Sequence, residues 1–507
     1  MKSQRRQYLT KTAFMNGATA LALIWTVGCA SAPTTVAEAV GEGLIIDRVT
    51  VVNTQNGTLA ADRAVLVQGG KIVKIAAASS FRATGTARRI DAQGDYVVPG
   101  YLDMHAHMLD AAASDAAKAL MIANGVTGYR QMSGNPALLA QRSRGDLAST
   151  DAAPELLVMP GLIMTGGTAP SPEAGVAQVR AQKAQGADFI KVVDLSPATF
   201  DAVLAEATAL NLPVAGHLQD TIEERVAARN GMRAIEHLGP KASVLLGCST
   251  DEAELRQQIA AEPPHPPRVG IPGSDPVASA AILRAVSNPI LVTDPRELAI
   301  MGRIMATYDE GRCRDLAQVF VAAGTWHVPT LIRVRTMQIA DDPAYANDPN
   351  LRYAPAASRA LWTELAVAFD QQLSSDTRTM LRRYYDLQLQ TVKLFDTMGV
   401  RMLAGSDFGG QWEIAGMSLH QEFDQLSAAG LSPLTVLQMT TLNGAQFLGR
   451  ESTMGSVDEG KDANLVLLSA DPTADVQALH QIVGVVRAGR YYDASDLAAL
   501  KQSATGR

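Results

Sequence analysis

Residues 99–108 read PGYLDMHAHM and place two histidines, His105 and His107, one residue apart at the end of an apolar run. In a β-strand, residues i and i+2 point to the same face, so one strand can direct both imidazoles into one site. Neutral imidazole is the commonest metal ligand among side chains. The stretch therefore predicts a strand that carries part of a metal site, with the remaining ligands supplied from elsewhere in the chain.

Seven further apolar runs alternate with alanine-rich helical stretches, a pattern typical of βα units and a parallel sheet. The eight runs begin at residues 101, 126, 155, 189, 212, 233, 325 and 401. Eight is the number of strands that closes a (β/α)8 TIM barrel. The alternative, a doubly wound open sheet, is not supported by a GxGxxG loop. The sequence therefore predicts an α/β protein with a barrel over residues 99–450.

The segments on either side of the predicted barrel have a β-rich texture. Residues 40–98 contain short alternating runs separated by glycine turns, and a similar pattern returns in residues 451–507. We therefore predict a small β-sandwich domain built from both termini. Within the barrel, 170 residues separate His237 from Asp407, which is far more than two βα units need. We predict an insertion at about 248–312, and with residues 347–396 it would form lid or substrate-pocket elements over the catalytic face.

Residues 1–39 have the pattern of an export signal. Arg5 and Arg6 precede an apolar stretch over residues 13–28, which resembles a twin-arginine signal. The stretch is shorter than the roughly 18 residues of an uninterrupted membrane span, which favours a cleaved signal. Cleavage before Cys29, at an imperfect lipobox, would leave a lipid-anchored protein, whereas cleavage after Ala39 would leave a free one. We predict a periplasmic protein or a membrane-anchored lipoprotein of a bacterium.

Composition and charge narrow the class of partner. The chain is 47% hydrophobic and 19% charged, and its net charge of −7 with no basic run gives nucleic acid no binding surface. We expect a small-molecule or short-peptide substrate, and association into a homo-oligomer through the outer helices. In an oxidising compartment Cys248 and Cys313 favour a disulfide, the alternative being two separate buried thiols.

Chemically useful side chains fall at the carboxyl ends of the predicted strands, where such a barrel builds its active site. They are His105, His107, Lys191, His217, His237 and Asp407. Because metal cations would repel a bare lysine ammonium, we consider its reaction with carbon dioxide, which gives N6-carboxylysine, an anion that can bridge two metals. The alternative for Lys191 is a structural lysine paired with an acid such as Asp194.

The order of these residues, HxH, Lys, His, His and Asp, resembles the amidohydrolase superfamily in its binuclear form. The local sequences that carry the resemblance are VVPGYLDMHAH, GADFIKV, GMRAIEHLG, LAGSD, TTLNGAQFLG and GSVDEGKDANLVLL. It is strongest to the prolidase-like and imidazolonepropionase-like branch and covers nearly all of the mature chain. The motifs are specific for the superfamily and say little about the substrate.

The resemblance implies two divalent metal ions, with zinc as the default and manganese or cobalt as alternatives. It assigns one ion to His105, His107 and Asp407 and the other to His217 and His237, with carboxylated Lys191 between them. It also implies that a metal-bridging hydroxide attacks the substrate, while Asp407 accepts a proton and passes it to the leaving amine.

Four further residues are weaker candidates for substrate contacts: Tyr129, Arg130, His327 and Arg333. An arginine side chain binds a carboxylate through two parallel hydrogen bonds. For either arginine, a surface or inter-helix salt bridge is the alternative, and for His327 the alternative is packing in the core.

The sequence thus predicts an exported metal-dependent amidohydrolase that cleaves an amide bond in an Xaa-Pro or other dipeptide, or in an N-acyl amino acid. A cyclic-amide or lactone hydrolase, or a deaminase, is the alternative on the same scaffold, although Lys191 argues against a mononuclear deaminase. A non-catalytic binding lipoprotein is a third hypothesis, which the complete set of six candidate ligands disfavours.

Overall fold

The computed structural model describes residues 37–110, 114–148, 150, 152–239, 242–261 and 276–505. The predicted export signal, with Cys29, falls almost entirely outside the described residues. Within them, no helix combines the length and the apolar character that crossing a lipid bilayer requires. The fold mixes parallel sheets, helices and a largely antiparallel sheet, and the predicted α/β class is confirmed.

The strands form three groups along the chain. The first is β1 (Glu38–Val40), β2 (Leu44–Val52), β3 (Leu59–Gln68), β4 (Lys71–Ala77), β5 (Phe81–Ala83), β6 (Arg88–Asp91) and β7 (Tyr96–Pro99). The second is β8 (Tyr101–Ala106), β9 (Val126–Gln131), β10 (Glu155–Val158), β11 (Met164–Thr165), β12 (Ile190–Asp194), β13 (Val214–Gly216), β14 (Met232–Glu236) and β15 (Trp326–Val328). The third is β16 (Leu465–Leu468), β17 (Ile482–Arg487) and β18 (Arg490–Asp493).

Eight strands of the first and third groups form one sheet, in the order β18-β17-β16-β7-β2-β3-β4 with β6 also paired to β2, while β1 and β5 form a separate two-stranded parallel sheet. Strand β16 joins the two ends of the chain, because Leu465 pairs with Pro99 and Leu468 with Tyr96 in antiparallel register. Alternating aliphatic residues of β2, β3, β7 and β16 form an apolar cluster on one face of this sheet. The sheet therefore depends on residues from both ends of the sequence.

The second group forms two parallel sheets, β10-β9-β8 and β11-β12-β13-β14-β15. Seven of the eight predicted runs contain one of these strands. The eighth, at residue 401, forms an isolated bridge to β15 at Met402, and Phe408 directly after it forms another to β8. The backbone N–H of His327 donates to the carbonyl of Arg401 (2.9 Å), and that of Met104 donates to Ala404 (3.0 Å). Residues 401–407 therefore lie between the two parallel sheets and contact both.

Helices follow most of the parallel strands. They are α1 (Ser114–Ala123), α2 (Pro136–Ser143), α3 (Pro172–Ala184), α4 (Pro197–Ala209), α5 (Glu224–Arg229), α6 (Ser243–Leu246), α7 (Glu252–Ala261), α8 (Pro276–Ser287), α9 (Pro295–Ala306), α10 (Glu310–Ala323), α11 (Leu331–Gln338), α12 (Pro343–Ala346), α13 (Ala356–Gln372), α14 (Ser375–Met398), α15 (Met417–Ala428), α16 (Pro433–Met439), α17 (Leu442–Leu448) and α18 (Ala494–Ser503). Side-chain oxygens of Ser171, Ser196 and Ser374 cap α3, α4 and α14 by accepting a backbone N–H of the first turn.

An excursion containing α7 to α10 separates β14 from β15, in the region of the predicted insertion. Cys248 and Cys313 form a disulfide with their Cα atoms 4.4 Å apart. Next to it, the backbone N–H of Thr250 donates to the carbonyl of Thr307 (2.8 Å). The two ends of the excursion are therefore fastened to each other beside the parallel sheets.

Candidate metal centre

Three of the predicted ligands meet where β8 and residues 401–407 end. Nε2 of His105 and Nε2 of His107 each lie 3.1 Å from Oδ1 of Asp407. The pairing of β8 with β9 shifts register between Asp103 and Ala106. Such an irregularity re-aims side chains at the end of a strand. One ligand atom from each of the three residues lies within 4.8 Å of the others, which is close enough for one ion.

Backbone strain concentrates around this cluster. Asp407, His237, Leu238 and Thr330 all have positive φ angles, between 43° and 57°. Residues other than glycine rarely adopt this left-handed conformation, and they do so where the surrounding structure fixes it. Asp407 is fixed in part by its backbone N–H, which donates to the carbonyl of His105 (2.7 Å). At this site, the surrounding structure therefore holds the backbone in an unfavourable conformation that positions the side chains.

His217 and His237 lie beside the first three ligands. Nε2 of His237 is 3.6 Å from Oδ2 of Asp407, and its ring centroid is 5.0 Å from that of His217. Gly216 allows the close approach of β13 to β12, because a Cβ at this position would lie 1.9 Å from the carbonyl oxygen of Val192. Burial, and then the charge of Lys191, hold the pKa of His217 well below its usual value. The His217 imidazole is therefore neutral and its lone pair is available to a metal.

Lys191 reaches the same region from β12. It pairs in register with Ala215, two residues before His217, and its side chain is 2% exposed. Its Nζ has no hydrogen-bond partner among the described residues. Burial lowers the pKa of Lys191 to about 8, while the charges of Glu236 and Asp407 oppose that shift. The neutral amine that reacts with carbon dioxide is therefore easier to form here than in water.

Three of the four histidines are held through their second ring nitrogen. Nδ1 of His105 lies 2.7 Å from Glu236, Nδ1 of His107 lies 3.0 Å from Asp110, and Nδ1 of His237 lies 2.6 Å from Thr330. Histidines that bind metals almost always donate this other N–H to a carboxylate, a carbonyl or a water molecule. The donor set and its orientation therefore fit a divalent metal ion.

Glu236, Asp110 and Thr330 are not among the site residues that the sequence predicts. Glu236 directly precedes His237, and Asp110 follows His107 by three residues. The presence of an acid close in sequence to a candidate ligand could therefore have identified both residues. Thr330 offers no such signal, because it lies 93 residues from the histidine that it contacts.

Two of the predicted substrate contacts, Tyr129 and Arg130, lie on β9. Tyr129 is 4% exposed and packs in the apolar cluster shared with the helices. Arg130, its neighbour, has the opposite orientation and donates from Nη2 to Oε1 of Glu236 (2.7 Å). Both side chains are therefore buried in the interior of the protein, and their contact with a substrate stays a prediction.

His327, a third predicted substrate contact, is fully buried. Trp326 and Val328, its neighbours on β15, belong to the apolar cluster between the strands, so His327 points the other way. Its ring lies 4.5 Å from Phe320 and 5.0 Å from Phe395, centroid to centroid, and neither ring nitrogen has a partner among the described residues. His327 is therefore a core residue under the helices α10 and α14.

We expect His327→Phe to make the protein more resistant to acid without changing its activity. Burial lowers the pKa of His327 from 6.5 to about 3, so between these values the unfolded chain binds a proton that the folded chain does not. Stability is thus lost as the pH falls below 6.5, by about 2–3 kcal/mol at pH 4.5 for this one group. Thermal unfolding at pH 7 and pH 4.5 measures the effect.

In that comparison, the wild type should lose more stability between the two pH values than His327→Phe does. Equal losses would contradict the assignment of His327 to a dry core, and a loss of activity in the variant would return His327 to the site. His480→Phe, at a histidine that is 29% exposed, is the matched control.

Arg333 is the predicted substrate contact that lies at the cluster. Its Nε is 3.4 Å from Oδ2 of Asp407, and Nη1 and Nη2 donate to the carbonyls of Ser287 and Val286 at the end of α8. A Cβ at Gly410 would lie 1.8 Å from Nη1, so only glycine leaves room for this arrangement. Arg333 therefore connects the excursion to Asp407.

Comparison with known proteins identifies relatives of the fold. The amidohydrolase family model matches residues 389–491. A bottromycin amidohydrolase superposes with a TM-score of 0.61 at 21% identity, covering 91% of this chain and 90% of its own. An Xaa-Pro dipeptidase with bound methionine gives 0.55 at 17% identity, with coverage of 89% and 100%. A prolidase in complex with N-methylphosphonate-L-proline gives 0.58 at 16%, with coverage of 89% and 99%. No curated protein matches the sequence significantly.

Proposed function

We propose that the chain is a metal-dependent hydrolase of the amidohydrolase superfamily that cleaves an amide bond next to an amino acid. The observation that carries the proposal is the cluster of His105, His107 and Asp407, whose ligand atoms lie within 4.8 Å of one another. A partly buried cluster of this composition has little value for packing and suits a divalent ion.

We infer that the two parallel sheets and residues 401–407 form the closed (β/α)8 barrel of this superfamily. The backbone hydrogen bonds of residues 401–407 to both β15 and β8 support closure. In such a barrel, side chains from the carboxyl ends of several strands converge on one site. The five other candidate ligands approach Asp407 in that way.

We infer two metal ions, preferably zinc. His105, His107 and Asp407 would hold one ion, His217 and His237 would hold the other, and Lys191 would lie between them as N6-carboxylysine. The unpartnered Nζ of Lys191 and its burial support this arrangement. Bound ions would polarise the scissile carbonyl group and lower the pKa of an attacking water molecule.

The side chains supply the proton transfers and the orientation. The carboxylate of Asp407 would accept a proton from the attacking water molecule at Oδ2 and then donate it to the leaving amine. Arg333 limits the rotation of that carboxylate, because its Nε lies 3.4 Å from Oδ2. The excursion attached to Arg333 by α8 would exclude bulk water above Asp407.

For the substrate we propose a dipeptide, including Xaa-Pro, or an N-acyl amino acid. Similarity in fold to an Xaa-Pro dipeptidase and to a prolidase supports this class. A cyclic-amide or lactone hydrolase or a deaminase is the alternative on the same scaffold. Export and lipid attachment at Cys29 stay predictions from the sequence.

The decisive test is product analysis. The purified zinc-loaded protein is incubated with a mixed library of dipeptides, N-acyl amino acids, lactones and aminated bases, and products are identified by mass spectrometry. Release of free amino acids would support amide hydrolysis. Ammonia or ring-opened lactone instead would overturn the proposed substrate class while keeping a hydrolytic site.

We expect Lys191→Met to lower kcat by about 10²- to 10³-fold, because loss of several kcal/mol of metal-derived stabilisation corresponds to that factor. Methionine is an unbranched side chain only one atom shorter than lysine and suits a buried position, but it cannot form a carbamate. Elemental analysis should find fewer metal ions per chain in Lys191→Met than in the wild type.

The matched control is Lys461→Met, which removes a partly buried lysine from the other end of the chain. Full activity in Lys191→Met would contradict the bridging role and favour a mononuclear enzyme such as a deaminase.

A further inference from the structure

A buried chain of polar contacts leads from His105 to the side of the site away from Asp407. Oε2 of Glu236 accepts the Nδ1–H of His105 at 2.7 Å, and Oε1 of Glu236 accepts from Nη2 of Arg130 at 2.7 Å. Arg130 also donates from Nε to the carbonyl of Met104, at 2.6 Å. Met104 directly precedes His105, so Arg130 holds both the backbone next to His105 and the carboxylate that holds its ring.

These contacts connect the two parallel sheets, whose strands do not pair with each other through backbone hydrogen bonds. His105 and Arg130 belong to the three-stranded parallel sheet, whereas Glu236 ends β14 of the five-stranded sheet. His105 and Arg130 are 1% exposed and Glu236 is fully buried. The guanidinium of Arg130 also lies 5.2 Å from the ring centroid of Phe447. The three polar groups are thus fixed by packing as well as by hydrogen bonds.

A buried ion pair is a weak source of stability, since the cost of removing both charges from water offsets most of their attraction. We therefore assign Arg130 and Glu236 a role in orienting His105 rather than in stabilising the fold. Donation of the Nδ1–H to Glu236 fixes the tautomer of His105 and leaves the lone pair of Nε2 on the side of Asp407, 3.1 Å away. A carboxylate in this position also makes the ring a more basic ligand.

We propose that Arg130 and Glu236 are a positioning pair that orients His105 and so sets the affinity of the His105, His107 and Asp407 site for a divalent metal ion. The inference rests on the proposed metal-dependent function. It adds a role for two residues that lie outside the candidate ligand set. Both residues would act through His105.

The test is zinc binding to Glu236→Gln, measured without a substrate by competition with a chelator. Glutamine keeps the shape of glutamate but removes the charge, and we expect zinc affinity to fall by about 10- to 100-fold. Glu224→Gln is the matched control, because Glu224 is also fully buried and paired with an arginine, Arg256, at 2.5 Å. The control should lose thermal stability and keep the zinc affinity of the wild type.

A second variant tests whether Arg130 and Glu236 act together. It also keeps the inference testable if Glu236→Gln does not fold. Arg130→Lys keeps the charge but cannot donate to Met104 and Glu236 in the same fixed geometry. We expect it to lower zinc affinity, and to add little further loss in the Glu236→Gln background. Additive losses, or wild-type affinity in either single variant, would overturn the positioning pair.

The zinc measurement separates this inference from the proposed function. Wild-type zinc affinity in Glu236→Gln would overturn the inference alone, and equal losses in Glu236→Gln and Glu224→Gln would do the same. A wild-type protein that binds no zinc would overturn the metal site and, with it, the inference. A wild-type protein whose zinc affinity depends on Glu236 but that hydrolyses no amide would overturn only the proposed function.

Discussion

Replacing His105 and His107 together with alanine is expected to remove bound metal and to lower kcat/KM by about 10³- to 10⁴-fold or more. Both side chains direct Nε2 at Oδ1 of Asp407 from 3.1 Å, so the substitutions delete two of the three groups of that cluster. Metal-derived stabilisation of the transition state amounts to several kcal/mol, and each 1.4 kcal/mol corresponds to about a factor of ten.

The measurement combines elemental analysis of the dialysed protein with steady-state kinetics. A matched control is available in a second pair of neighbouring histidines, His420 and His480, whose ring centroids lie 4.9 Å apart. Replacing that pair with alanine should lower thermal stability and leave the metal content unchanged. Turnover at the wild-type rate in His105→Ala/His107→Ala would refute the proposed site.

Asp407→Asn is expected to lower kcat by about 10²- to 10⁴-fold, the usual contribution of a positioned general acid or base. Asparagine has the size of aspartate and preserves the backbone hydrogen bond from residue 407 to His105. It carries no negative charge and cannot take up a proton at this position. The fold should therefore persist while the proton transfers fail.

Thermal unfolding and kinetics on the same preparation separate these effects. Asp424→Asn, at a half-exposed aspartate paired with His480, is the matched control and should keep the kcat of the wild type. If Asp407→Asn retained the kcat of the wild type, Asp407 would be no more than a ligand, and the proton would be carried by another group.

Five of the six candidate ligands could be found from sequence because they lie at the end of an apolar run or directly after it, whereas Lys191 is the second residue of β12. A parallel sheet brings the carboxyl ends of its strands to one edge. The proximity of residues far apart in sequence, such as His105 and Asp407, can therefore be predicted from the strand pattern alone. The same rule predicts the α/β class. The export signal, the exact domain boundaries and the substrate are not decided by it.

Contacts that depend on side-chain direction were harder to predict. Tyr129 and Arg130 are adjacent in sequence, and only the register of β9 decides which of them points between the sheets. His327 looks like a strand-end histidine, yet the alternation of Trp326 and Val328 turns it toward the helices. Thr330 contacts His237 from a left-handed backbone conformation, which the neighbouring sequence does not predict.

Strands β7 and β16 pair with each other but are synthesised at widely separated times. Leu465 is synthesised 366 residues after its partner Pro99. At ribosomal rates of about 5–20 residues per second, β7 waits roughly 20–70 seconds for the strand that covers its edge. An uncovered strand edge is a template for pairing with another nascent chain. We expect ribosome-bound chains that stop short of residue 465 to aggregate unless a chaperone shields that edge.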